Sequence, residues 1–216
     1  MLSRVLCLLL LLSLPAHADW DLARERNGIS VWTQPQPGFP IHAFRATTIV
    51  PSTLNAVVAL ILDTASAPRW AYRTSRISVL EQDEAKGTFL IQADTDFPWP
   101  LSDRDVVLAG QVSQDEKTRV VTIRSRAVQD VVRYPPREGF LRMRDMDGVW
   151  QLRPLPGAKV EVSMTGRADP GGAIPAGVIN LLIHETPYQT LRRLREVVQE
   201  AHYQQARVAG IRELAE

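Results

Sequence analysis

RADPGGAIPAGVINLLIHETPYQTLRRLREVV, residues 167–198, holds a turn followed by a long amphipathic helix. Asp169-Pro170-Gly171-Gly172 joins a side chain that closes Asx turns, a fixed φ and two residues free to take φ > 0. Pro175 suits a first helical turn, where its missing N–H has no partner to lose. Val178, Leu181, Leu182, Leu191, Leu194 and Val198 then recur at three- and four-residue spacing, which gives one apolar stripe. Pro187 removes a backbone hydrogen bond and crowds the carbonyl four residues back, so a kink is expected near residues 183–185. A helix of this kind must cover something apolar.

The preceding hundred residues supply the surface it covers. Residues 76–82, 87–94, 105–113, 119–127, 140–144, 148–154 and 159–168 are strand-length runs separated by turn residues or polar loops. Val121, Ile123 and Ser125 alternate with Thr122, Arg124 and Arg126. Val160, Val162, Met164 and Gly166 alternate with Glu161, Ser163, Thr165 and Arg167. Period-two patterns of this sort belong to an antiparallel sheet with one wet and one dry face. Two more strands are expected at 29–33 and 41–50, and an apolar helix at 53–62 capped by Ser52 or Thr53. Residues 19–26 read as one or two helical turns, and Asn27-Gly28 as a turn. The expected fold is α+β: a curved antiparallel sheet of about nine strands wrapped around the long C-terminal helix.

Residues 1–18 read as a signal peptide. Arg4 precedes an apolar run from Val5 to Leu12, and Ala16 and Ala18 place small residues at −3 and −1 of a cut. The run is shorter than the ~20 residues a membrane span requires. Its removal takes Cys7, the single cysteine, and balances the remaining basic residues against the 24 acidic ones. The mature protein then has no thiol chemistry and no charge field for nucleic acid. One domain is expected at 19–206, with a C-terminal tail at 207–216. Export to a bacterial periplasm, or secretion otherwise, follows from the leader.

Three patches are more specific than periodicity: Phe97-Pro-Trp-Pro-Leu-Ser-Asp-Arg-Asp105, Ala168-Asp-Pro-Gly-Gly-Ala-Ile-Pro175, and Trp70 closing a short helical segment after Asp63 and Pro68. In this order and spacing the chain resembles the steroidogenic acute regulatory-related lipid transfer (START) domains, nearest to the phosphatidylcholine-transfer branch at PLSDRD and DPGGAIP. The likeness spans about residues 20–198. It implies a helix-grip fold, a tunnel for one lipid, and lipid binding or transfer without catalysis. The chain departs from the pattern at Ala71, where many members carry a polar residue. It departs again at Gly110, in the strand where the arginine of sterol-binding members is expected.

The residues themselves leave two readings at each candidate position. Asp103-Arg104-Asp105 is either a turn with a strand-edge ion pair, or a segment in which Arg104, like Arg73, faces a polar end of the cavity and holds a phosphate or carboxylate. Trp70, Tyr72, Trp99 and Trp150 either pack or surround a quaternary ammonium. Val178, Leu181 and Leu182 are expected on the ligand side of the last helix. The loop 130–139, with Val131, Val132 and Tyr134, is either a packed surface loop or a gate that moves with the part of the helix before Pro187. His42, His184 and His202 lack metal-site spacing, and no nucleophile or phosphate-loop motif occurs, so no cofactor and no metal are expected.

These readings describe an exported, monomeric lipid carrier. Its ligand would be a phospholipid, a sterol-like molecule or a fatty acyl compound, and its other partner a transient membrane surface. Two rivals stand beside it: an enzyme of cyclase or hydrolase type acting on a hydrophobic substrate in the same cavity, and a lipid sensor.

Overall fold

In a computed structural model, which describes residues 20–37 and 41–214 and, within them, all side chains but those of Ala176, Asn180 and Leu181, the chain opens with a hairpin. Strands β1 (Asp21–Arg26) and β2 (Ile29–Gln34) meet through Asn27 and Gly28, with φ of 54° and 70°. A two-residue turn with both φ positive matches the twist of the strands it joins. The helical turns expected at 19–26 are therefore strand β1. Its charged sequence suits a sheet edge, where outward charges discourage pairing with other chains. The expected leader at 1–18 lies outside the described residues.

Strand β3 (Ala43–Pro51) follows, then helix α1 (Leu54–Leu62) and the single turn α2 (Ala67–Trp70). Thr53 caps α1, its side chain accepting from the Ala56 N–H at 3.2 Å. Strands β4 (Thr74–Asp83), β5 (Thr88–Thr95), β6 (Arg104–Gln114) and β7 (Val121–Ala127) form a meander. The run expected at 140–144 shrinks to β8 (Leu141–Arg142), a two-residue parallel pairing with β6. Strands β9 (Asp145–Leu155) and β10 (Lys159–Asp169) complete a ten-stranded sheet in the order β1-β2-β3-β10-β9-β7-β6-β5-β4, with β8 off that path. Helices α3 (Ala176–Val197) and α4 (Ala201–Gln204) end the described secondary structure.

The turn before α3 takes the expected form. Asp169 Oδ1 accepts from the Gly171 N–H at 2.9 Å, and Gly171 and Gly172 have φ of 66° and 73°. Pro175 stands at the N-cap, one position before the first helical turn, and α3 runs on through Pro187 as one helix.

The interior has a solid end and a hollow end. Past Pro187, Tyr188, Leu191 and Leu194 of α3 and Val198 at its C-cap are buried against Ile29, Val31, Ala46, Val50, Leu54, Val57, Val160 and Val162. Each buried aliphatic side chain contributes about 1.5–3 kcal/mol, so this half anchors the helix. Strand β1 adds a clamp at the same level, where Arg24 pairs with Glu185 and lies 3.8 Å from the centre of the Tyr188 ring. Before Pro187 the helix instead spans a void.

Residues 207–213, expected as part of a tail, are packed against the sheet and α1. The Val208 N–H donates to Asn55 Oδ1 (2.8 Å), and Glu213 accepts from the Leu54 and Asn55 N–H groups at 3.0 and 2.8 Å. A carboxylate there satisfies donors that the first turn of α1 leaves open.

Candidate functional site

The void is a cavity of about 960 Å³ between the concave face of β4–β10 and the first half of α3. That volume stands at the upper end of the roughly 300–1,000 Å³ of small-molecule pockets. Alternation along each strand builds the wall. Ile77 and Val79 of β4, Phe89, Ile91 and Ala93 of β5, Val106 and Leu108 of β6, and Ile123 of β7 all turn inward. Met146, Trp150 and Met164 continue the wall on β9 and β10, and Ile179, Leu182, Ile183 and Pro187 roof it. The far end is closed by residues 207–211, among them Val208 and Ile211.

Polar groups reach the cavity at the β4–β5 rim, where Gln82, Asp83 and Lys86 line it, at Asp147 and Arg167, and at the turn between α2 and β4. Trp70, Ala71, Tyr72, Arg73 and Thr74 all line it. Trp70 is 4% exposed and meets Trp150 edge-on, with ring centres 6.0 Å apart. The Tyr72 N–H donates to Thr190 Oγ1 on α3 at 3.1 Å. Arg73 has φ of 64°, and its backbone carbonyl accepts from the Asp96 N–H at 2.8 Å while its Nη1 donates to the Asp96 carbonyl at 3.2 Å. Two buried donors here, Trp70 Nε1 and Arg73 Nε, meet no acceptor among the described residues.

Of the residues singled out from sequence, Trp70, Tyr72, Arg73, Trp150, Leu182 and Pro187 stand on this wall. Trp99, Arg104 and Val178 do not. Leu181 belongs to α3, but its side chain lies outside the described residues. Trp99, held between Pro98 and Pro100, is 92% exposed, because the proline corner turns it out from the sheet. Arg104 is 2% exposed, and its reach toward the cavity is intercepted by the turn before α3. It donates from Nε to the Pro170 carbonyl (3.3 Å), from Nη2 to the Gly171 carbonyl (3.2 Å) and from Nη1 to the Ser102 carbonyl, and lies 4.4 Å from the centre of the Phe97 ring. Burial lowers its pKa, partly offset by the Asp103 charge. Arg104 thus ties the β5–β6 corner to the start of α3.

Val131, Val132 and Tyr134 also stand off the wall, because the loop 130–139 lies on the opposite, convex face. Asp94 and Asp105 project there from β5 and β6 and hold it down. Arg137 Nε donates to Asp94 (2.7 Å), while Arg142 grips Asp105 with Nε and Nη2 at 3.0 and 2.9 Å. Gln92 adds a bond to Asp105 at 2.6 Å, and Arg133 and Tyr134 both bind Glu81. Burial pushes the Asp105 carboxyl up, but its bonds from Arg142, Gln92 and the Arg137 N–H outweigh that and leave it below the usual carboxylate range.

At Gly110 any Cβ would meet the Phe89 ring at 2.2 Å, so the side of the wall where a sterol-type arginine was expected is filled by Phe89. His42 lines the cavity. Burial and then the charges of His42 and Arg24 push His184 on α3 below the usual imidazole range. Among the described residues no group of three His, Cys, Asp or Glu side chains is placed to hold a metal, and no helix is long and apolar enough to cross a membrane.

The inward residues of β5 and β6 were not singled out from sequence. Their signal was present in the alternation of Phe89, Ile91 and Ala93 with Leu90, Gln92 and Asp94.

Comparison with known proteins agrees with this geometry. The family model described as START domain matches residues 2–203. A crystal structure of a STAR-related lipid transfer protein from Xanthomonas axonopodis superposes with a TM-score of 0.76 at 29% identity, covering 84% of this chain and 99% of that one. An uncharacterized Pseudomonas aeruginosa protein is 28% identical, over 84% of this chain and 87% of its own length. The phosphatidylcholine transfer protein of Bos taurus is 24% identical, over 76% of each chain.

Proposed function

The chain belongs to the START domain family, and on that footing we propose that it is an exported carrier of one hydrophobic or amphiphilic lipid. The observation that carries the reading is the hollow half of the core: about 960 Å³ enclosed by aliphatic, aromatic and methionine side chains. Hiding about 16 methylenes at ~0.8 kcal/mol each favours the bound state by more than ~10 kcal/mol before ordering costs. Such a ligand leaves slowly through water, so release is coupled to contact with a bilayer.

Carriage fits the wall better than catalysis does. Three of its carboxylates are already engaged: Asp63 with Ser66 and Tyr203, Asp83 with Lys86, and Asp147 with Arg126 and Arg167. Trp99 supplies a membrane contact: it is 92% exposed and stands two residues from Phe97, which lines the cavity. A proline-braced indole of this kind partitions into the interface of a bilayer. Residues 1–18 are read as the leader that takes the protein to the periplasm, where it works as a monomer.

Native mass spectrometry of protein purified from its own source tests carriage, with one lipid mass per chain expected. Transfer between vesicles tests release: Trp99→Ala should slow it several-fold and leave loading unchanged. A protein that holds no lipid and moves none between vesicles would end the carrier reading.

A further inference from the structure

The carrier reading leaves the polar end of the ligand unassigned, and the turn between α2 and β4 constrains it. Trp70 is more than nine-tenths buried on the cavity wall, and its Nε1–H has no acceptor among the described residues. Three residues on, Arg73 Nε is buried and also without an acceptor. A buried donor left unpaired costs about 1–3 kcal/mol, so two in one turn call for a partner that arrives from the cavity. Arg73 is also held in the left-handed region, at φ of 64°, by its two bonds to the Asp96 backbone. Non-glycine residues held there cluster where a side chain must be aimed.

Charge narrows the class further. The guanidinium groups of Arg73 and Arg193 lie 5.4 and 4.9 Å from the centre of the Tyr72 ring. Neither forms a salt bridge with a carboxylate among the described residues, so positive charge gathers about Tyr72, with Arg73 on the cavity wall and Arg193 off it. That field repels a quaternary ammonium, and the Tyr72 ring already carries cations.

We propose that the ligand's head group is anionic and acceptor-only, a phosphate or carboxylate that takes the hydrogen bonds of Trp70 Nε1 and Arg73 Nε. This rests on the carrier reading and names its ligand class. A guanidinium can bind either anion with two parallel N–H···O bonds.

The test offers the purified protein four probes: vesicles of dioleoylphosphatidylglycerol, vesicles of dioleoylphosphatidylcholine, dispersed diolein and oleate. Bound lipid is counted by native mass spectrometry. Phosphatidylglycerol or oleate should be preferred at least tenfold over phosphatidylcholine and diolein, a difference of about 1.4 kcal/mol. Preference for phosphatidylglycerol over oleate assigns the group as phosphate, and the reverse order assigns it as carboxylate. Arg73→Gln should abolish the preference, bringing phosphatidylglycerol and oleate to the level of diolein. Trp70→Phe, which keeps a ring and removes the N–H, should reduce it about threefold, and it carries the test should Arg73→Gln fail to fold. Equal uptake of phosphatidylglycerol and phosphatidylcholine, or an unchanged preference in both variants, overturns the anionic head while carriage stands. Uptake of none of the four overturns carriage itself.

Discussion

Neighbouring residues of β5 and β6 serve opposite purposes. Ile91, Ala93, Val106 and Leu108 face the cavity, whereas Gln92, Asp94 and Asp105 face outward into a buried web with Arg137 and Arg142. The outward side is polar, buried and satisfied bond for bond. The inward side is apolar and unfilled, and two of its donors lack partners. One sheet thus separates the part of the molecule that holds its shape from the part that accepts a guest. The loop 130–139 belongs to the first: Arg133 and Arg137 fasten it to Glu81 and Asp94, where it braces the strands and stands away from the cavity.

The sharpest way to break this contrast is to remove a charge from the convex side. Asp105→Ala leaves Arg142 buried without its partner, and losing one member of such a pair costs about 3–5 kcal/mol. Urea unfolding should show that loss, with lipid loading per folded molecule unchanged. The native pH profile carries the same signature. Asp105 titrates below its ordinary value in the folded state, so its contribution is complete above the unfolded pKa of ~3.9 and is lost as pH falls through the lower, folded value. Acid unfolding should begin below about pH 4, and Asp105→Asn should flatten that limb.

A smaller effect is expected where the two sides meet. Arg104→Lys keeps a charge but cannot reach the three carbonyls that the guanidinium spans, which should cost about 1.5–3 kcal/mol in thermal or urea melts. The loss should fall on the junction with the start of α3, visible as faster hydrogen exchange over residues 176–186. Least of all should come from Val132, 92% exposed on the outer loop. Val132→Asp should change stability by less than about 0.5 kcal/mol and leave vesicle transfer as it was. A large transfer defect there would make the loop a gate after all.

Much of this architecture was legible in the chain. Strands β7 and β10 announce themselves by alternation, and the DPGG turn and the long helix by their residue chemistry. Strand β1 was hidden because DLARER has no dry face: an edge strand gains its place from hairpin pairing, and its best signal was Asn27-Gly28. At the site, Trp70 was found through motif resemblance, and Tyr72, Arg73 and Trp150 through their ring and guanidinium chemistry. Arg104 misled because strand parity points it inward, and only the fold brings the Pro170 and Gly171 carbonyls across its path. Which residues of a strand meet a void, and which meet a loop from elsewhere in the chain, depends on contacts that no local pattern encodes.

Residues 207–211, which wall off the far end of the cavity, are made after every other residue that lines it. They are held there by docking on α1 through Val208 and Glu213, so that end of the enclosure depends on a short terminal segment and not on the covering helix. Access at that end is therefore separable from any displacement of α3.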